Sequence, residues 1–154
     1  MAAVPHYMPT VPTRTSVEEQ VLQANNLFYR AFEMSDIGAM MAVWHPEWAH
    51  VMCVHPARAP AVGAEAVMAT WRSIFKAKAE RGRPLTIRLT DVRVKGLERS
   101  SDAGGEGESR SRTAWVTCEE VINDTTRVLA TNIFQCDDAG KWWMVHHQGS
   151  MIIG

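Results

Sequence analysis

The stretch TAWVTCEEVINDTTRVLATNIFQC, residues 113–136, predicts the sheet around which the rest of the chain is organised. Its apolar and β-branched side chains recur with the period of two that is typical of strands. Asn123 and Asp124 stand midway along the stretch, and both residue types tolerate the backbone of a tight hairpin turn. We therefore predict two antiparallel strands, over residues 113–123 and 126–136.

Period-two segments flank this hairpin on both sides. Upstream, the apolar positions of residues 85–94 change parity near Thr90 and Asp91, which predicts a β-bulge that bends the strand. Gly, Ser and charged residues fill positions 100–112, and we interpret them as a flexible hairpin loop. Downstream, a second turn leads into a final strand over residues 141–153.

The N-terminal half has helical periodicity instead. Ser16 followed by Glu19 fits a capping box, and an apolar stripe continues from there to Phe32. Ser35 is predicted to cap a short second helix, which Pro46 ends. Before the first helix, residues 1–15 carry three prolines and predict an extended arm.

A short strand and a third helix complete this half. The strand is expected over residues 48–54. The helix begins after Gly63, carries an apolar stripe through Trp71, and stops at Gly82. Three helices thus precede the sheet.

Composition excludes several classes of function. The chain has 154 residues, the size of one domain, and its net charge of -1 gives no electrostatic basis for binding nucleic acid. No apolar run is long enough to span a membrane. The three cysteines are widely spaced with no CxxC, so we interpret them as reduced packing residues. A cytoplasmic location is expected.

Three further stretches carry a resemblance to a known family: FYRAFEMSDIGAMMAVW (28–44), AVGAEAVMATWRSIF (61–75) and KWWMVHHQGS (141–150). They resemble the nuclear transport factor 2-like superfamily, in particular its SnoaL-like members. The resemblance implies an α+β domain over residues 16–154: a cone-shaped α+β barrel of three N-terminal helices packed on a strongly curved mixed or antiparallel sheet that encloses a pocket. It also implies a homodimer. It does not imply one reaction, because the superfamily includes isomerases, dehydratases, cyclases and association domains.

Two histidines are the candidate general bases, because imidazole titrates near neutrality. His55, followed by Pro56, resembles the segment where ketosteroid isomerases carry an Asp-Pro whose Asp shuttles the proton. His146 and His147 are adjacent on a strand and must point to opposite faces. We expect the face with His146 to line the pocket, and His55 and His146 to contact the same ligand.

Steroid isomerisation itself is excluded by two positions. The oxyanion-hole tyrosine of the resembled isomerases falls at Phe28, with Tyr29 next to it, and their second acid falls near Leu129. Neither Phe28 nor Leu129 can donate a hydrogen bond from its side chain.

The remaining candidate ligand-binding residues are aromatic or polar: Tyr29, Trp44, His50, Trp71, Trp115, Gln148 and Ser150. Core packing is the alternative interpretation of each aromatic. No zinc-binding spacing such as HExxH occurs, and we predict no metal and no cofactor.

Three functions stay open at this point. The first is a domain that binds a small apolar ligand with a polar handle. The second is a cofactor-free isomerase, dehydratase or cyclase with a histidine base. The third is a non-catalytic association module.

Overall fold

The computed structural model describes residues 16–47, 49–97 and 112–153. The elements in chain order are α1 (Val17–Met34), α2 (Ile37–Val43), β1 (Met52–Val54), β2 (Ala61–Val62), α3 (Ala64–Arg81), β3 (Ile87–Leu97), β4 (Arg112–Ile122), β5 (Thr126–Cys136) and β6 (Trp142–Met151). The predicted arm (1–15) lies outside the described residues, as does all but Arg112 of the predicted loop 100–112. The first strand is shorter than predicted.

The capping residues explain where the first two helices begin and end. Ser16 and Glu19 form the predicted capping box at the start of α1. The prediction for Ser35 is wrong: this residue ends α1 in a left-handed conformation (φ 53°). Asp36 caps α2 instead, because its Oδ1 accepts from the backbone N–H of Ala39 at 2.9 Å. The Asp36 carboxylate therefore supplies the helix cap that we expected from the Ser35 hydroxyl.

The six strands form one sheet in the order β2-β1-β6-β5-β4-β3. The pair β1–β6 is parallel, and all other neighbours are antiparallel. The sheet is therefore mixed and stays open, with β2 and β3 as its edges. The three helices pack against it, which confirms the predicted α+β class and its three-helix cone.

Local turn and bulge predictions in the sheet are also confirmed. Asn123 and Asp124 both have positive φ (49° and 60°), as a tight hairpin turn between β4 and β5 requires. The register of β3 against β4 shifts between Thr90 and Arg93, and Asp91 has φ 50° at that point. The bulge lies where the parity of the apolar residues changes.

A second bulge, which we did not predict, lies in β6. Ile133 of β5 pairs with His146, and the next residue, Phe134, pairs with Met144. Val145 is therefore an extra residue, and alternation is interrupted there. As a result Met144 and His147 lie on the same face of the sheet, and both are fully buried. We call this helix-covered side the inner face and the opposite side the outer face.

Candidate functional site

Polar and aromatic side chains from both halves of the chain meet on the inner face. We call them the inner cluster: Asn25, Phe28, Tyr29, Phe32, His55, Trp71, Glu120, Asn132 and His147. Helix α1 supplies four of them, α3 supplies Trp71, and the sheet and the end of β1 supply the rest.

The aromatic part of the inner cluster is packed ring against ring. The centroids of His55 and His147 are 5.2 Å apart, and the centroid of Trp71 is 4.7 Å from that of His55. Phe28 lies 4.9 Å from His147 and 5.4 Å from Trp71. The two imidazoles therefore share one apolar environment between α1, α3 and the sheet.

The polar part forms a continuous chain of hydrogen bonds. Tyr29 Oη donates to Glu120 Oε1 at 2.7 Å and accepts from Asn132 Nδ2 at 3.2 Å. Asn132 Nδ2 also donates to Asn25 Oδ1 at 2.8 Å. Asn132 Oδ1 lies 2.6 Å from His147 Nδ1. A buried carboxyl group and a buried imidazole are thus connected through one hydroxyl and one amide.

Burial disfavours charge on every titratable group of the inner cluster. It lowers the pKa of His55 to about 4, with the positive charge of Arg58 as a second cause. It lowers the pKa of His147 well below its usual value, and the neighbouring His55 and His146 act in the same direction. It raises the pKa of Glu120 to about 7, although the hydrogen bond from Tyr29 acts in the opposite direction and lowers this pKa. Both imidazoles are therefore neutral at neutral pH.

Three buried nitrogens of the inner cluster lack a hydrogen-bond partner among the described residues. They are Asn25 Nδ2, His55 Nε2 and Trp71 Nε1. A buried polar atom without a partner is costly, so such atoms often mark a place where a ligand or water binds. His55 is also the most exposed member of the cluster, whereas His147 is 1% exposed. The His55 edge is the side nearest to solvent.

Several predicted site residues lie on the inner face. Tyr29, His55 and Trp71 belong to the inner cluster. Trp44 is buried as well, but it lies where the end of α2 meets β6, beside Met144.

The other predicted residues lie on the outer face or at the surface. The placement expected for His146 is wrong, because the Val145 bulge turns His147 toward His55 instead. His146 lines an open outer groove of about 360 Å³ together with His50. Trp115 is 43% exposed, and Gln148 and Ser150 are exposed too. His55 and His146 therefore do not share one cavity.

Sequence reasoning missed four polar members of the inner cluster, including His147. The signal for the other three was present: Asn25, Glu120 and Asn132 occupy positions of apolar stripes. Asn25 lies four residues after Val21 on α1, and all three share the buried faces of their elements. A polar residue on an apolar stripe indicates a buried hydrogen-bonding group.

No group of three or more potential ligands within 16–47, 49–97 and 112–153 could hold a metal ion. In the same part of the chain, no helix is long and apolar enough to cross a membrane.

The fold is that of a nuclear transport factor 2-like domain. Within that class, the chain belongs to the SnoaL-like domain family, whose profile matches residues 21–154. The resemblance identified from the sequence is therefore confirmed. Among curated proteins, no sequence matches significantly.

Solved structures extend the comparison. A proposed dehydratase of the NTF2-like family from Streptomyces avermitilis is 26% identical, with a TM-score of 0.67 over 89% of this chain and 97% of that one. A proposed calcium/calmodulin-dependent protein kinase type II association domain from Thiobacillus denitrificans is 34% identical, with a TM-score of 0.55 over 84% and 93%. A protein with a cystatin-like fold from Nostoc punctiforme is 10% identical over 89% and 93%, and its TM-score of 0.61 supports the fold alone.

Proposed function

We propose that this protein is a cofactor-independent enzyme of the lyase or isomerase class, which transfers protons on a small, mostly apolar molecule. One observation carries the proposal: His55 and His147 meet, with ring centroids 5.2 Å apart, beside a buried tyrosine and carboxyl group. A pair of neutral imidazoles in an apolar environment is suited to general acid–base catalysis.

The surroundings of the histidines support a neutral ligand. The aromatic walls would contact an apolar body, and Trp71 Nε1, which can only donate, would bind an acceptor oxygen such as a carbonyl. The inner cluster itself contains no lysine or arginine, and burial disfavours charge throughout it. An anionic ligand would therefore be poorly stabilised.

Dehydration is the reaction that we favour within this class. A base removes the proton next to a carbonyl, the C–H electron pair becomes a carbon–carbon double bond, and the leaving hydroxyl departs with a proton as water. The reaction needs one proton acceptor and one proton donor, and no oxidant. The likeness to the proposed dehydratase supports this choice.

The test begins with native mass spectrometry of the purified protein, to detect a retained small molecule. A panel of neutral β-hydroxy ketones is then incubated with the protein in D₂O. We expect deuterium at the acidic carbon and loss of water in at least one compound. His55→Gln and His147→Gln should each lower the rate by roughly 10²–10⁴-fold.

His45→Gln is the matched control, because His45 follows α2 and is not part of the inner cluster. It should leave the rate unchanged. If the wild-type protein retains no small molecule and exchanges no proton in any compound of the panel, the proposal is wrong.

An association module is the second candidate function. The tight ring packing around His147 and the likeness to the kinase association domain favour it.

The outer face of the sheet offers a surface for such association. One residue from each of the six strands pairs with the next across this face, and we call these residues the outer row: Val62, Met52, His146, Ile133, Trp115 and Lys95. Because four of the six are apolar, we propose that this face forms a homodimer. A cytoplasmic location stays a prediction.

A further inference from the structure

We propose that Asn132 is a positioning residue: it holds His147 as the tautomer protonated at Nδ1 and leaves Nε2 as the atom that accepts a proton. The catalytic consequence rests on the proposed function. The tautomer itself is a property of the protein without any ligand, so it can be tested separately.

Neighbours on α1 determine how the amide of Asn132 is oriented. Its Nδ2 lies 2.8 Å from Asn25 Oδ1 and 3.2 Å from Tyr29 Oη. Tyr29 can accept this hydrogen bond because its own proton is donated to Glu120 Oε1. If the amide were turned over, its oxygen would face the Tyr29 oxygen, whose proton is already donated to Glu120. The Tyr29 oxygen therefore holds the amide with Nδ2 toward α1, and Asn25 Oδ1 accepts its other hydrogen.

This orientation determines the tautomer of His147. Asn132 Oδ1 then faces His147 Nδ1 at 2.6 Å, and an amide oxygen can only accept. Nδ1 must carry the hydrogen. A neutral imidazole has one N–H, so Nε2 carries the lone pair.

The same reasoning decides which histidine of the pair is the base. The sequence pattern favoured His55, whose Nε2 is open to a ligand, but that nitrogen has no hydrogen-bond partner among the described residues to fix the tautomer of the ring. His147 of β6, in contrast, is anchored through Nδ1 to Asn132 and is fully buried beside Phe28 of α1. The geometry therefore assigns proton acceptance to His147 Nε2, with Asn132, Asn25 and Tyr29 acting through it.

The test is NMR of the full chain with ¹⁵N-labelled histidine, at a pH above 7 so that Glu120 is ionised. Long-range ¹H–¹⁵N correlations distinguish the protonated from the unprotonated ring nitrogen, and His147→Gln identifies the signals of His147. We expect Nδ1 protonated and Nε2 unprotonated in the wild-type protein. A proton on Nε2 there overturns the inference without any variant.

Variants of Asn132 test its role. In Asn132→Leu the acceptor is lost, and we expect the proton to move to Nε2, the preferred position in a free imidazole. Asn132→Asp keeps an acceptor, so Nδ1 should stay protonated, and the pKa of His147 should rise because a carboxylate favours the imidazolium. Asn26→Leu makes the same change as Asn132→Leu at an exposed site on α1 and should leave His147 unchanged.

Each result either supports or overturns the inference. It is overturned if Asn132→Leu folds, by circular dichroism, and keeps Nδ1 protonated. If that variant does not fold, loss of the Nδ1 proton in Asn132→Asp overturns it. Deuterium exchange is measured independently. If the tautomers are as expected and the wild-type protein exchanges no proton in any compound, the proposed function fails while the role of Asn132 in setting the tautomer stands. If exchange occurs and His147→Gln leaves it unchanged, the assignment of His147 Nε2 as the base is wrong.

Discussion

At the scale of single residues, the main feature is the pairing of buried polar groups with one another. Asn25, Glu120 and Asn132 are each at most 3% exposed, and each is hydrogen-bonded within the inner cluster. Burying such a group without a partner costs about 1–3 kcal/mol. The network therefore constrains how α1 packs on β4 and β5, because a shift would leave several groups unpaired.

Glu120 gives a prediction about the pH dependence of stability. Its pKa is raised from 4.5 to about 7, so between these values the folded protein binds a proton that the unfolded chain does not. Stability from this group is present below pH 4.5 and is lost as the pH rises through 7. The Glu120→Gln variant does not lose this stability, because glutamine does not ionise. We expect its stability relative to the wild-type protein to be about 3 kcal/mol more favourable above pH 7 than near pH 4.5.

Urea unfolding of both proteins at several pH values measures this difference. His55 has the opposite sign, because its lowered pKa makes stability fall as the pH drops from 6.5 to about 4. This contribution is common to both proteins and cancels in the comparison. Parallel stability curves for Glu120→Gln and the wild-type protein would contradict the prediction.

At the scale of elements, Gly63 determines how α3 begins. Gly63 caps this helix with φ 88° and ψ 153°, a conformation that is essentially restricted to glycine. We expect Gly63→Ala to destabilise the protein by about 1–3 kcal/mol. Gly96→Ala is the matched control, since a Cβ there has no heavy atom within 4 Å and φ is not positive. Thermal unfolding compares the two, and equal melting temperatures would contradict the role of Gly63.

The connection between β3 and β4 gives a second prediction at this scale. The strands are antiparallel neighbours and pair up to Leu97 and Thr113. We expect that replacing residues 100–111 with a short turn costs little stability, because loop-closure entropy changes only slowly with length. A large fall in melting temperature would mean that the segment packs against the domain.

At the scale of the whole molecule, the outer row gives a prediction about assembly. Val62 is 57% exposed and Trp115 is 43% exposed, and they lie on the same face as Leu129, which is 54% exposed. Exposed apolar groups clustered on one sheet face indicate a protein interface. We expect a homodimer at micromolar concentration by light scattering, and a monomer for Trp115→Glu.

Met41→Glu is the control for this experiment, since Met41 is 50% exposed on α2, away from the sheet. It should remain a dimer. A monomeric wild-type protein would refute the proposed interface. A dimeric Trp115→Glu protein would place the interface elsewhere on the molecule.

The sequence by itself determined the features that depend on a few neighbouring residues. The capping box at Ser16, the turn at Asn123 and the bulge near Asp91 were all predicted and found. The apolar stripes also determined which faces of the helices and strands are buried. These features are local because caps, turns and side-chain periodicity follow from backbone sterics and hydrogen bonds within one or two turns of chain.

Only the tertiary structure decided which histidine faces inward and which polar groups meet. The Val145 bulge depends on the register of β6 against β5, and the parallel pairing of β1 with β6 joins segments far apart in the chain. Because side chains alternate with a period of two, one extra residue turns His147 inward and His146 outward. Register is a property of two strands together, so the pattern within β6 alone could not determine the candidate site.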